Sequence, residues 1–243
     1  MTMKKRARND LQKEQRRLSI VLAADALFRE RGGRLSSIAE VAKGAGIAKG
    51  TTYLYFRNKD ELYMAVLEHR ARMWGESVIE TLAETERPFR VRDVVQAITE
   101  HVIDNNEVLV LATIANSVLD HGVDREEEMR FRAELARMTV QVGGAITEGM
   151  PEISPARGTA LFLRSLAYIL GMWQLIAPSS IMDKFHRRHD LEPFMLHFAR
   201  ELESGLTALW HGAIGADTLD PANITRSGRG LSCGKSTEPL CRS

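Results

Sequence analysis

The chain has 243 residues, 44% of them hydrophobic and 27% charged, a balance that supports one or two packed domains and excludes global disorder. Its 2 cysteines, Cys233 and Cys241, both lie near the C-terminus and supply neither a disulfide framework nor a four-cysteine zinc site. The formal net charge of +1 hides an asymmetry: residues 1–60 carry 14 Lys+Arg against 6 Asp+Glu, leaving 19 against 26 elsewhere. A basic first quarter on an acidic body points to a nucleic-acid-binding segment joined to a part with another task.

Alanine and leucine, strong helix formers, outnumber valine, and no alternating run of strand length appears, so the elements are read as helices. Residues 1–15 are polar and charged and are read as a basic flexible arm. From Arg16 the pattern is helical, with Ile20, Ala24, Leu27 and Phe28 on one face and Gly32-Gly33 as the stop. Ser37-Ile38-Ala39-Glu40 is a capping box that opens a second, short helix. Gly44-Ala45-Gly46 turns the chain. A third helix is expected from about Ala48 to Phe56, and a fourth from near Lys59. Further helices are expected at about 88–104, at the apolar run from Val108 to Ala115, and at about 124–149. The last two are read at 155–176 and 191–211, and the polar stretch 213–243 is read as a disordered tail. The longest uncharged stretch, Ser165 to Met182, is broken by Gln174, Pro178, Ser179 and Ser180, so no membrane span is expected. No apolar signal segment follows the basic N-terminus, and the cytoplasm is the expected location.

Residues 37–56 form two short helices joined by the glycine-containing turn Lys43-Gly44-Ala45-Gly46-Ile47, the pattern of a helix-turn-helix. An ordinary helical hairpin shares that pattern, but this one sits in the basic quarter. Its second helix is expected to expose Lys49, Thr51, Thr52, Tyr53 and Tyr55, which can donate hydrogen bonds to phosphates or base edges.

Residues from about 16 to 75 resemble the DNA-binding domain of the TetR family of bacterial transcription regulators. The resemblance is carried by Ala24, Leu27, Phe28 and Gly32, then by Ser36-Ser37-Ile38 and Val41-Ala42. It continues through Ala45-Gly46-Ile47, Lys49-Gly50-Thr51, Tyr53-Leu54-Tyr55-Phe56, Asn58-Lys59 and Glu61-Leu62. Three positions depart from the family pattern. Ala48 replaces the usual Ser or Thr, so the third helix is expected to lack a side-chain cap. Gly33 stands where an apolar residue is usual, and Thr52 where an aliphatic one is.

The resemblance implies an all-α protein with a three-helix DNA-binding domain at 16–75 and a larger helical effector-binding and dimerisation domain at 76–212. It implies that Lys49 and Thr51 reach base edges, with Gly50 and Thr52 beside them, and that Leu54 meets a thymine methyl. Tyr53, Tyr55, Lys59 and Ser37 would hold the phosphate backbone. An effector pocket is implied within the C-terminal helices. Met73, Trp74, Phe89, Ile114, Met138, Met172 and Trp173 are its candidate walls, with Asn116 as a polar group beside it. A dimer is implied too, through Leu161, Phe162 and Ile169 on one helix and Phe194, Phe198, Leu202, Gly205 and Leu209 on the last. The implied partners are a palindromic double-stranded DNA operator, a small hydrophobic effector and a second copy of the chain, with no cofactor, metal or membrane. The implied regulator is a repressor that its ligand releases from the operator. The competing reading is a helical adaptor whose helix-turn-helix does not read DNA. No Ser/His/Asp order, HExxH, GxGxxG or GxxxxGK[ST] motif appears, so no enzymatic activity is expected.

Overall fold

The computed structural model describes residues 2–119, 124–176 and 197–215. Among these, every regular element is an α-helix: α1 (Thr2–Glu30), α2 (Ile38–Gly44), α3 (Lys49–Thr52), α4 (Lys59–Glu84), α5 (Val91–Asp104), α6 (Glu107–Leu119), α7 (Arg125–Gly149), α8 (Pro155–Ile176) and α9 (Phe198–Gly215).

Helix α1 starts well before the first apolar repeat, so residues read as a flexible arm are helical. Their sequence is rich in Lys, Arg, Gln and Glu and free of Gly and Pro, which favours helix. Being polar all round, it carries no hydrophobic period to announce it. The helix ends in a Schellman motif: the Gly33 N–H donates to the Phe28 carbonyl at 2.9 Å and that of Gly32 to Arg29 at 3.0 Å. Gly32 and Gly33 both take positive φ, which explains the glycine at a position where the family has an apolar residue.

The inward face of α1 (Ile20, Ala24, Phe28) meets Ile38 and Val41 of α2 and Leu62 and Val66 of α4, all buried in one core. The second half of α4 turns Trp74, Val78 and Leu82 toward the body of the protein, against α5 and α7. A single 26-residue helix therefore has one half in the helix-turn-helix unit and the other in the larger bundle. The Trp74 indole N–H donates to the Ile98 carbonyl at 3.0 Å, so the ring is buried with its polar atom satisfied.

Helices α7 and α8 approach at backbone distance. A Cβ on Gly143 would lie 2.6 Å from Thr159 Cα, and one on Gly158 would lie 2.7 Å from the Gly143 carbonyl oxygen. Helices α8 and α9 are joined by Trp210, whose buried indole N–H donates to Ser165 Oγ at 3.0 Å. Helix α8 is long and apolar enough to cross a membrane by length and composition alone. Its buried stripe explains that composition, because Leu161, Phe162, Ser165 and Ile169 all pack inside the bundle.

That packing corrects the expected dimer interface. Leu161, Phe162, Ile169 and Leu202 are fully buried within one protomer. Phe198 meets the Trp173 ring edge-on at 5.2 Å, and Leu209 is half-buried against the same core. Gly205 admits Tyr168, whose hydroxyl would collide with any Cβ there, so the close approach is to α8 of the same chain. An apolar stripe on a helix shows that something covers it, without showing which chain does so. Phe194 and the expected helix start at 191 lie outside the described residues, as does 216–243. Helix α9 itself runs to Gly215, past the expected end.

Candidate nucleic-acid interface and effector cavity

The α2–α3 unit is fixed by local hydrogen bonding. Ser37 Oγ accepts from the Glu40 N–H at 3.3 Å, and Glu40 Oε2 accepts from the Ser37 N–H at 2.8 Å, the expected capping box. The Ser37 hydroxyl donates to Glu40 Oε2 at 2.7 Å, so its proton is already engaged. Arg31, just past α1, holds the other carboxylate oxygen at 2.7 Å and ties the end of α1 to α2. Helix α2 closes in a second Schellman motif, with Gly46 at φ +66° and the Ile47 N–H on the Ala42 carbonyl at 3.0 Å.

Helix α3 is a single turn. Ala48 offers no side-chain cap, as its sequence position foretold. The bonds then tighten, with the Leu54 N–H on Thr51 and the Tyr55 N–H on Thr52, so residues 53–55 form a turn rather than the expected continuation of the helix. This turn drives Phe56 into the core and leaves Leu54 78% and Tyr53 46% exposed. Lys49 and Gly50 are exposed, and Thr51 and Tyr55 are half-buried. Lys49 Nζ lies 6.0 Å from the centre of the Tyr53 ring.

One expectation needs correction. Thr52 is fully buried, and its hydroxyl has no partner, so it faces the core as the aliphatic residue of the family pattern would. Lys59 is half-buried, with Nζ donating to the Leu35 carbonyl at 3.2 Å and 5.9 Å from the Tyr63 ring centre. It ties the loop before α2 to the start of α4. At the α4 N-terminus Asn58 caps the Glu61 N–H at 2.8 Å, and Glu61 Oε2 accepts from the Arg57 N–H at 2.7 Å.

Ionic contacts join the helix-turn-helix unit to the body. Arg57 reaches Asp124, the cap of α7, at 2.6 Å. The backbone N–H of Glu126, then the Arg57 guanidinium, lower the Asp124 carboxyl below its ordinary range. More deeply placed is Arg70 of α4, only 8% exposed. Its Nε donates to Asp25 of α1, and its Nη1 lies 3.4 Å from Glu107, the first residue of α6. Arg29 of α1 stands 3.8 Å from the same Glu107.

Behind this cluster is a cavity of about 290 Å³ between α4, α6, α7 and α8. Ala71, Trp74, Ala112, Leu135, Met138 and Leu166 are among its walls, and all its lining residues are apolar. Of the expected pocket residues, Trp74 and Met138 line it. Phe89 is packed on Gly149, where a Cβ would lie 2.3 Å from its ring. Met73 is exposed, and Met172 and Trp173 lie toward the end of α8, outside this lining. Ile114 lines a separate crevice of about 10 Å³ with Leu35, Tyr63 and Met64. The Asn116 side chain lies outside the described residues. Alanines, which the sequence reading passed over, make room for the cavity: Ala71, Ala112, Ala115 and Ala167 recur along its walls.

A basic N-terminal helix-turn-helix on a helical body with an apolar cavity between its helices defines a class, the helix-turn-helix regulators with a C-terminal effector domain. Residues 20–66 match the description "Bacterial regulatory proteins, tetR family", and residues 68–217 match "Tetracyclin repressor-like, C-terminal domain". The chain belongs to the tetR family of bacterial regulatory proteins.

It is similar to the fatty acid metabolism regulator protein of Bacillus subtilis (strain 168), 33% identical over 73 residues, covering 30% of this chain and 38% of that protein. It is also similar to the transcriptional repressor BepR of Brucella suis, 29% identical over 124 residues, covering 47% and 58%. The chain thus spans less than two thirds of the length of these two relatives. With the regulator BetI of Proteus mirabilis it shares 26% identity over 196 residues, covering 77% and 87%. Among solved structures, FadR of Bacillus subtilis in complex with stearoyl-CoA superposes with a TM-score of 0.51 at 17% identity, covering 79% and 96%, which shows the shared fold.

The Glu40 junction yields a pH prediction. The Arg31 hydrogen bond, then those from Ser37, hold the Glu40 carboxyl at about 2 against an ordinary 4.5. A depressed carboxylate contributes stability above its unfolded pKa and loses it as pH falls through the folded one. The melting temperature of Glu40→Gln is therefore expected to trail wild type above pH 4.5, with the gap closing as pH falls toward 2. A gap that does not depend on pH contradicts this assignment.

Proposed function

We propose that the protein is a homodimeric, cytoplasmic transcription regulator that binds a palindromic DNA operator as a repressor and is released by a hydrophobic ligand. The observation that carries the DNA-binding half is the exposed face of α3 and its turn, set in the basic quarter of the chain. Lys49, Gly50, Thr51, Tyr53 and Leu54 form the reading surface. Lys49 and Thr51 address base edges and Leu54 a thymine methyl. Residues 16–75 act as the reading head, and 76–212 as the effector and dimerisation domain.

Gly50 has a specific part in this reading. It is helical and exposed, and a Cβ there would meet nothing within 4 Å. Nothing among the described residues requires glycine, which costs an exposed helix about 1 kcal/mol relative to alanine. The missing side chain leaves space for the DNA backbone. On operator DNA selected from random sequence, Gly50→Ala is expected to raise protein stability yet weaken binding about tenfold, ~1.4 kcal/mol. Lys49→Ala is expected to relax sequence preference, losing about 1–3 kcal/mol of discrimination at one base pair. If Gly50→Ala binds as wild type and Lys49→Ala keeps the wild-type sequence profile, this face does not read DNA.

The dimer is assigned to the faces of α8 and α9 that one protomer leaves open. Arg164, Gly171 and Leu175 are exposed on α8, and Ser204, Ala208 and Gly212 on α9. A Cβ on Gly171 or Gly212 would meet nothing within 4 Å, so neither glycine serves packing among the described residues. Small residues at this spacing let a partner helix approach closely, and a two-fold pair would set its reading heads on half-sites about one DNA turn, ~34–36 Å, or a multiple apart. Ala208→Glu is expected to sediment as a folded monomer with specific DNA binding lost. A variant that remains dimeric and binds the operator removes this face from the interface.

A further inference from the structure

The apolar cavity does not stand alone. It shares Ala71, Phe131, Leu135 and Met138 with a second cavity of about 220 Å³ on the other side of the α4–α7 contact. The two differ sharply in chemistry. The first has only apolar lining residues, and the one polar side-chain atom among them, the Trp74 indole nitrogen, already donates to Ile98. The second adds Glu68, Arg72, Glu76, Glu134, Arg137 and Gln141. Its charges are matched in pairs: Arg137 with Glu134 at 2.6 Å, Arg72 with Glu76 at 3.8 Å, and Glu68 with the neighbouring Arg130 at 3.9 Å.

The four shared side chains form the partition between the two cavities. Met138 lies flat on α4 because Gly75 has no Cβ, which would sit 2.5 Å from Met138 Cγ. An unbranched thioether side chain with three rotatable bonds can be displaced at low cost.

We propose that the ligand is an amphiphile recognised by a straight hydrocarbon tail, with the tail in the apolar cavity and the head beyond Met138 among the paired charges. The proposal rests on the reading of the apolar cavity as the effector site and names the chemical class that fits it. A polar group inside the first cavity would lose water and gain no partner, so the buried part of the ligand is hydrocarbon. A cavity of about 290 Å³ holds roughly ten non-hydrogen atoms at the ~30 Å³ that each water occupies in the liquid. The vestibule lining carries Glu68, Glu76 and Glu134 against Arg72 and Arg137, and each of these ions has an opposite charge within 4 Å, so tail length governs affinity more than head charge does.

The test measures direct binding by calorimetry to the full chain, using straight-chain alkanols from hexanol to tetradecanol below their solubility limits. Matching alkanoates and alkyltrimethylammonium salts are run alongside. Affinity is expected to rise about fourfold per methylene, the ratio set by ~0.8 kcal/mol per buried CH₂, and then to level off once the tail fills the cavity. The slope is expected to be the same for all three heads. Met138→Ala opens the partition and should move the plateau to longer chains, while Ala112→Leu fills the cavity and should move it to shorter ones. Phe131→Ala, at a half-buried partition residue, takes the place of Met138→Ala if that variant does not fold. Affinity that ignores chain length, a slope confined to one head charge, or plateaus that shift in the same direction in both variants overturns the proposal. If alkanols bind as described but leave operator affinity unchanged, the effector reading fails and the ligand class stands. If a rigid polar compound releases the operator and no alkanol binds, the ligand class alone fails.

Discussion

The buried guanidinium of Arg70 is the constraint on which the arrangement of the reading head depends. A charge held at 8% exposure has lost most of its hydration, and only well-placed counter-charges offset that cost. Here they come from two other helices, Asp25 of α1 and Glu107 of α6, with Arg29 of α1 as a second cation beside Glu107. Three helices cannot shift past one another without leaving one of these charges unpaired. Truncating one partner of a buried ion pair typically costs about 3–5 kcal/mol. The cluster therefore selects one relative position of α1, α4 and α6 more firmly than apolar packing alone, which tolerates sliding.

Its position gives that selection a functional meaning. Arg70 is followed on α4 by Ala71 and Trp74, which line the apolar cavity, and Glu107 is followed on α6 by Val108 and Leu109, which line it too. Asp25 stands on the same helix as the face that packs against α2. A ligand that spreads α4 and α6 would act first on the Arg70–Glu107 contact, which at 3.4 Å is the looser of the two, while Asp25 carries the movement to α1. Ligand and DNA then bias the same two-state element, which is what reciprocal coupling requires.

Much of the fold was legible in the sequence because proline, glycine and apolar period punctuate it. The helices read at 155–176 and 124–149 are α8 and α7 to within a residue, and the Ser37–Glu40 box caps α2 as read. The start of α1 was not legible, because its first residues favour helix by propensity without any apolar face. The length of α3 was misjudged because an uncapped turn of Gly, Thr and Tyr has little helical preference of its own. The exposure of Lys49, Gly50, Tyr53 and Leu54 was legible in the sequence, whereas Thr52 was expected to be exposed and is packed inward. The cavity was mostly missed because large apolar side chains were sought. Such residues fill space, and cavities open where alanines decline to fill it.

The most direct test of this account is an operator titration with and without saturating decanol, in wild type and in Glu107→Gln. The exchange keeps the shape of the side chain and removes the charge that faces Arg70. The account predicts that decanol weakens operator binding by wild type, and much less by the variant, while decanol binds the DNA-free variant at least as tightly as wild type. An equal loss of operator affinity in both proteins would contradict the account, since the coupling would then bypass Arg70.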